Sequence, residues 1–288
     1  MAISVPLNQI SPLSASWQAA LRLLIIPLLV YCVWLIEIFL LEANLSLFLV
    51  PNPLPLAFYT VAGCILVGML IPVFMIRRSF LSGAVNMLQI GFRSLRRTVA
   101  VCTLTAMVCY LIIILMTLAG ALRMAFPGHF LLYLPTGIAA VMICWVLVGT
   151  HLQALVRVGG AALSIPTGVV ITAILFALTM QVLTPASGLK EPLVSGILLG
   201  MIVALFFFAV RDVYATGIVV TTGMTFLFSG SAIPAVPDNL MSGVAFSAFL
   251  AVAALLSIHV YFSRNYATVI VVPDQQSPLE PCDRDQDE

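Results

Sequence analysis

A chain of 288 residues that is 62% hydrophobic and only 8% charged, with mean hydropathy +1.17, is not a water-soluble globule; a soluble fold carries roughly 25% charged residues. The formal charge of +1 says little, because placement matters here and the total does not. The first twenty residues carry no Lys or Arg, so no cleavable signal peptide is expected. No nucleic-acid partner is expected.

Apolar runs close to the ~20 residues needed to cross a bilayer predict eight spans, at 23–42, 56–76, 99–119, 130–150, 164–183, 193–210, 213–230 and 244–262. The expected fold is all-α: a polytopic membrane bundle over residues 1–272, then a proline-rich acidic tail, 273–288, expected to be disordered and cytoplasmic. Span one carries Glu37, whose distance from Arg22 puts it in the outer third of the bilayer. An ionisable group at that depth is a candidate functional residue. Pro51, Pro53 and Pro55 are expected to keep the following loop extended.

The stretch Arg77–Arg97 holds five of the twelve Lys and Arg residues. Its polar positions, Ser79, Ser82, Asn86, Gln89, Arg93 and Arg96, step by three and four, with Phe80, Ala84, Leu88, Gly91 and Leu95 on the opposite stripe. That period predicts an amphipathic helix lying in the membrane interface. Farther on, Gly196, Gly200 and Ala204 form a small-residue packing face on span six. Span seven, with Thr216, Thr221, Thr222 and Thr225, is the most polar and is expected to border a cavity. Only Arg211 and Asp212 separate these two spans, which would merge if the two charges were buried as an ion pair.

Five of the six cysteines (Cys32, Cys64, Cys102, Cys109 and Cys144) fall in apolar runs, and no cysteine pair has metal-ligand spacing. His129, His151 and His259 are each isolated in sequence, so no metal or cofactor site is expected.

A resemblance enters over residues 149–230. The run Gly149-Thr-His-Leu-Gln-Ala-Leu155, then Ala173-Ile-Leu-Phe-Ala-Leu178, Gly200, Arg211 and Tyr214-Ala215 resembles the core of the CAAX-protease and bacteriocin-processing (CPBP) family of eight-span membrane proteins. The resemblance implies an intramembrane metalloprotease fold with a glutamate pair and an arginine on span four and histidines on spans five and seven. Here those positions fall on Ile143 and Cys144, Val148, Met180, and Val220 or Thr221, none of which activates water or holds a metal. It further implies that Cys144, Phe176, Met180 and Thr221 line an apolar site on spans four, five and seven. The function expected is therefore non-proteolytic binding, of the immunity or chaperone type, with the bilayer, another membrane protein, or a lipid or prenyl ligand as partner. The alternative is a small-molecule transporter or channel. A third possibility is an enzyme using Glu37 or His151.

With the N-terminus inside, cytoplasmic segments hold Arg22, the five arginines of 77–97, Arg157, Arg211, Arg264 and Arg284, and outer segments hold only Arg123 and Lys190. This positive-inside bias predicts an inner-membrane protein with both termini cytoplasmic. Reporters fused after Arg97 and at the C-terminus should read cytoplasmic, and fusions near Pro127 and Lys190 external. An external C-terminal reporter would show a miscounted span.

Overall fold

The computed structural model describes residues 12–45, 52–81, 87–116, 121–156, 161–183, 192–229 and 236–266. The tail 273–288 and residues 82–86 of the basic stretch lie outside the described residues. All described elements are helical: α1 (Pro12–Leu45), α2 (Pro53–Tyr59), α3 (Ile71–Leu81), α4 (Met87–Ile90), α5 (Leu95–Met116), α6 (Ala121–Ala140), α7 (Thr150–Val156), α8 (Ala161–Leu183), α9 (Pro192–Val210), α10 (Val213–Ser229) and α11 (Asp238–Tyr266). Two π-helical stretches, Thr60–Leu70 and Val141–Gly149, join α2 to α3 and α6 to α7 without a break. Seven of the resulting rods are long and apolar enough to cross a membrane, and α10 is a shorter apolar helix of 17 residues. The chain is a multi-pass helical membrane bundle.

The rod Phe126–Val156 is the axis of the bundle, with 89% of its apolar stretch buried. Around it pack α1, α3, α8, α10 and α11. Small residues set the approach distances. A Cβ on Gly200 of α9 would lie 2.8 Å from the Ala173 Cα of α8, which makes the predicted small-residue face a real seam.

The second span begins earlier than its prolines suggest. Pro53 occupies the first turn of α2, where its missing N–H is an orphan anyway, and the Asn52 side chain caps the helix by accepting from the Leu54 N–H at 3.4 Å. The π-helical stretch that follows has a local cause. Pro72 cannot donate to the Gly68 carbonyl and its ring crowds that carbonyl, so the preceding turns widen. Trp34 of α1 donates its indole N–H to the Gly63 carbonyl at 3.1 Å.

The basic stretch is not one interfacial helix. Among the described residues α4 ends at Ile90, the chain turns at Gly91 with φ +91°, and residues 92–94 are not helical. Ile90, Gly91 and Phe92 are buried in succession, with Phe92 stacked on Phe262 at 5.4 Å. This segment packs on protein, because three consecutive buried residues need a turn and no helix face provides them.

Gly200→Ala should lower stability in a detergent thermal melt by about 1–3 kcal/mol. Gly217→Ala, where a Cβ would meet only Ile138 at 3.7 Å, should change little. Equal melting of the two variants would refute the tight seam.

Candidate functional site

Among the described residues, Arg93, Arg97 and Arg211 gather at one end of the bundle. There α9 stops at Val210, and Arg211 takes a left-handed conformation, φ +53°, while its N–H still bonds the Phe207 carbonyl at 2.8 Å. Glycine usually ends helices this way. Here the strain of a side chain in that region is offset by what the guanidinium reaches. It donates to the Gln89 carbonyl at 3.1 Å and to Gln153 Oε1 at 2.6 Å, and it lies 4.9 Å from the centre of the Phe208 ring. Burial, and secondarily the nearby Arg93, pushes its pKa down to about 10, so it remains a cation at neutral pH. Burial also pushes Arg93 down, with Arg97 adding to the effect and Asp212 opposing it.

Asp212 is fully buried and opens α10. Its Oδ1 accepts from the Ala215 N–H at 3.0 Å, as an N-cap does, and its Oδ2 accepts from the Thr98 hydroxyl at 2.8 Å. The next orphan donor, the Val213 N–H, reaches the Gly91 carbonyl at 3.3 Å. Arg211 and Asp212 thus bond away from each other, to Gln89 and Gln153 on one side and to Thr98 and Ala215 on the other. The break between spans six and seven is therefore built into the fold.

Nearby, Ser79 Oγ and His151 Nε2 are 2.7 Å apart, and His151 Nδ1 donates to the Leu147 carbonyl at 2.6 Å. With Nδ1 carrying the proton, the neutral ring accepts from Ser79. A serine bonded to an oriented imidazole has the form of an activated nucleophile. Both residues sit inside helices, however, whose backbone N–H groups are spent on helix bonds and cannot stabilise an oxyanion. The pair ties α3 to α7.

At the opposite end, Glu37 and Glu42 face a buried polar cluster. The Tyr59 hydroxyl and Thr136 Oγ1 are 3.0 Å apart, with Cys64 Sγ 4.0 Å from the same threonine oxygen. Glu42 lies close enough to Tyr59 and Tyr133 to interact electrostatically with both phenols, and Glu37 does the same with Cys64. Glu37 Oε2 is buried with no hydrogen-bond partner among the described residues. Glu37 and His151 belong to opposite ends of the bundle, so span one does not bring a carboxylate to the imidazole.

The residues singled out by the family resemblance are buried at the heart of the bundle. The Phe176 ring lies tilted against Trp145 with centroids 5.1 Å apart, and Cys144 lies within bonding reach of the Thr179 hydroxyl. Met180 packs against Gly196, and Thr221 belongs to a second seam, where it faces Gly137. On α10 the Thr216 and Thr225 hydroxyls donate to carbonyls four residues back along the chain, those of Asp212 and Thr221, at 2.6 and 2.7 Å. Two of the span's threonine hydroxyls are thus absorbed by the helix's own backbone, while Thr221 Oγ1 is buried with no hydrogen-bond partner among the described residues. Among the described residues no three His, Cys, Asp or Glu side chains come together as a metal site.

None of those four residues lines the cavity that sequence reasoning missed. A groove of about 440 Å³ runs between α3 with its π-helical approach and α11, walled by Ile65, Leu70, Val73, Phe74, Ala254 and Ile258. Arg77, Ser257 and Tyr261 add its polar atoms, and the Arg77 guanidinium lies 6.0 Å from the Tyr261 ring centre. Its volume is within the roughly 300–1,000 Å³ of small-molecule sites. The chain matches no protein-family model, no curated protein and no solved structure.

Asp212→Ala should lower the melting stability by about 1–3 kcal/mol, through loss of the cap and an unsatisfied Thr98 hydroxyl. Asp212→Asn, which keeps a cap acceptor, should lose less. Equal losses would mean that the carboxylate acts only through its charge.

Proposed function

We propose that this chain is a non-proteolytic binding protein of the cytoplasmic membrane, both termini inside, whose ligand is an apolar chain held between α3 and α11. The observation that carries this reading is the groove itself, whose walls are aliphatic and aromatic and whose polar atoms lie toward one end. Such a surface offers a methylene chain close van der Waals contact along its length and no paired acid and base to a reacting bond. The resemblance to CPBP proteins over residues 149–230 accords with this. The positions that would need glutamate and histidine carry Ile143, Cys144, Met180 and Val220 or Thr221, all buried in packing. Against the transporter alternative, two of span seven's hydroxyls, those of Thr216 and Thr225, bond their own backbone.

The test is photolabelling of the purified full chain with a long-chain alcohol carrying a diazirine, followed by peptide mapping. Labels should concentrate on residues 65–77 and 254–261 and persist as probe is diluted with detergent. Ala254→Trp, which fills the groove, should remove most of them. Labelling spread evenly over the other exposed apolar faces, such as Leu104, Met107 and Leu111 of α5, would refute the reading.

A further inference from the structure

The groove has a direction, and its two ends differ chemically. It begins at Ile65, well inside the second span, and ends at Arg77, near the end of α3 that carries Arg78 and the Ser79–His151 tie. Twelve residues at ~1.5 Å each give at most roughly 18 Å, and the wider π-helical turns shorten that. This is about one leaflet of a ~30 Å hydrocarbon core. The wall on α11, Ala254 to Tyr261, runs alongside in the same direction.

Arg77 closes the groove as an exposed cation. Its described neighbour is the Tyr261 ring, and no described carboxylate forms an ion pair with it. Arg78 follows directly, Arg264 lies one turn beyond Tyr261, and both are exposed. Asp212, which acts on Arg93, is buried and committed to Thr98 and Ala215. Among the described residues, then, the headgroup end of the groove is cationic with no ion-paired carboxylate, and its inner end is wholly apolar.

Building on the apolar-chain reading above, we propose that the occupant is a phospholipid with an anionic headgroup, drawn from the leaflet on the arginine side. One acyl chain lies between Phe74 and Ile258, and the phosphate rests on Arg77. A net-neutral choline lipid places its own cation among Arg77, Arg78 and Arg264 and loses this advantage. A neutral alcohol fills the apolar part and leaves Arg77 without an anion. The Tyr261 ring under the guanidinium holds Arg77 at the groove mouth, where an interfacial tyrosine is at home.

The experiment places the full chain in phosphatidylcholine nanodiscs containing a low, equal fraction of one of three diazirine probes: phosphatidylglycerol, phosphatidylcholine or a long-chain alcohol. Labelling at Phe74 and Ile258 should be about five-fold or more higher for phosphatidylglycerol than for phosphatidylcholine, the effect of one cation at an anionic headgroup. Arg77→Gln should reduce phosphatidylglycerol labelling to the phosphatidylcholine level and leave alcohol labelling unchanged, which also shows that the variant is folded. Arg77→Lys should retain most of the preference. Arg96→Gln, on α5 and outside the groove, should have little effect. If both phospholipids label wild type equally, or Arg96→Gln acts as strongly as Arg77→Gln, the anionic-lipid assignment is overturned while the apolar-chain reading stands. Absence of groove labelling by any probe overturns both.

Discussion

Inside hydrocarbon, helices gain nothing by hiding apolar surface from water, so this bundle depends on close approach to a single helix. The Phe126–Val156 rod is approached at points where one partner is small. Gly68 meets Ala139, Gly137 meets Thr221, and Gly149 meets Phe208 and Thr172. Two polar groups of the rod are satisfied sideways, Thr136 with Tyr59 and His151 with Ser79, as a site without water requires. Both π-helical stretches belong to this axis or lie directly against it. Their wider turns are where backbone geometry gives way so that packing need not.

The span pattern was legible because a bilayer imposes a length, and apolar runs of that length stand out in any sequence. The small-residue face of α9 was legible for a similar reason, since glycine and alanine four apart have one obvious use in lipid. The π-helical stretches were not. Periodicity is read from contrast between faces, and every residue of Val141–Gly149 is buried and apolar or glycine, so no contrast exists. The basic stretch misled in the opposite way. Its polar positions hold a helical period through Gly91, yet Phe92, outside the apolar stripe, is buried against Phe262.

Arg211 and Asp212 show how far two adjacent charges can be read. The sequence raises the question of whether they neutralise each other. The fold answers by giving each its own role. Arg211 ends α9 and reaches across to Gln89 and Gln153, whereas Asp212 starts α10 and holds Thr98. A carboxylate that caps a helix and a guanidinium that replaces the usual terminal glycine both need partners from segments distant in sequence. Those partners, on α4, at the start of α5 and on α7, carry no mark that pairs them with residue 211 or 212.

The groove was invisible for a related reason. Its walls come from two segments almost two hundred residues apart, and apart from Arg77 each wall residue is ordinary in a membrane helix. Its shape follows from where the helices are allowed to touch. Near the start of both helices, Gly243 of α11 lies directly against Pro53 of α2, where even a Cβ would come within 2.7 Å of the proline ring. Toward the other end the side chains of Phe74 and Tyr261 replace that glycine contact, and Ala254 and Ser257 are too small to fill the space between. A pair of helices held close at one end and kept apart by aromatic side chains at the other encloses a slot. In a bilayer such a slot is open to the chains of the surrounding leaflet, and on the lipid assignment proposed above Arg77 at its mouth would select the headgroup.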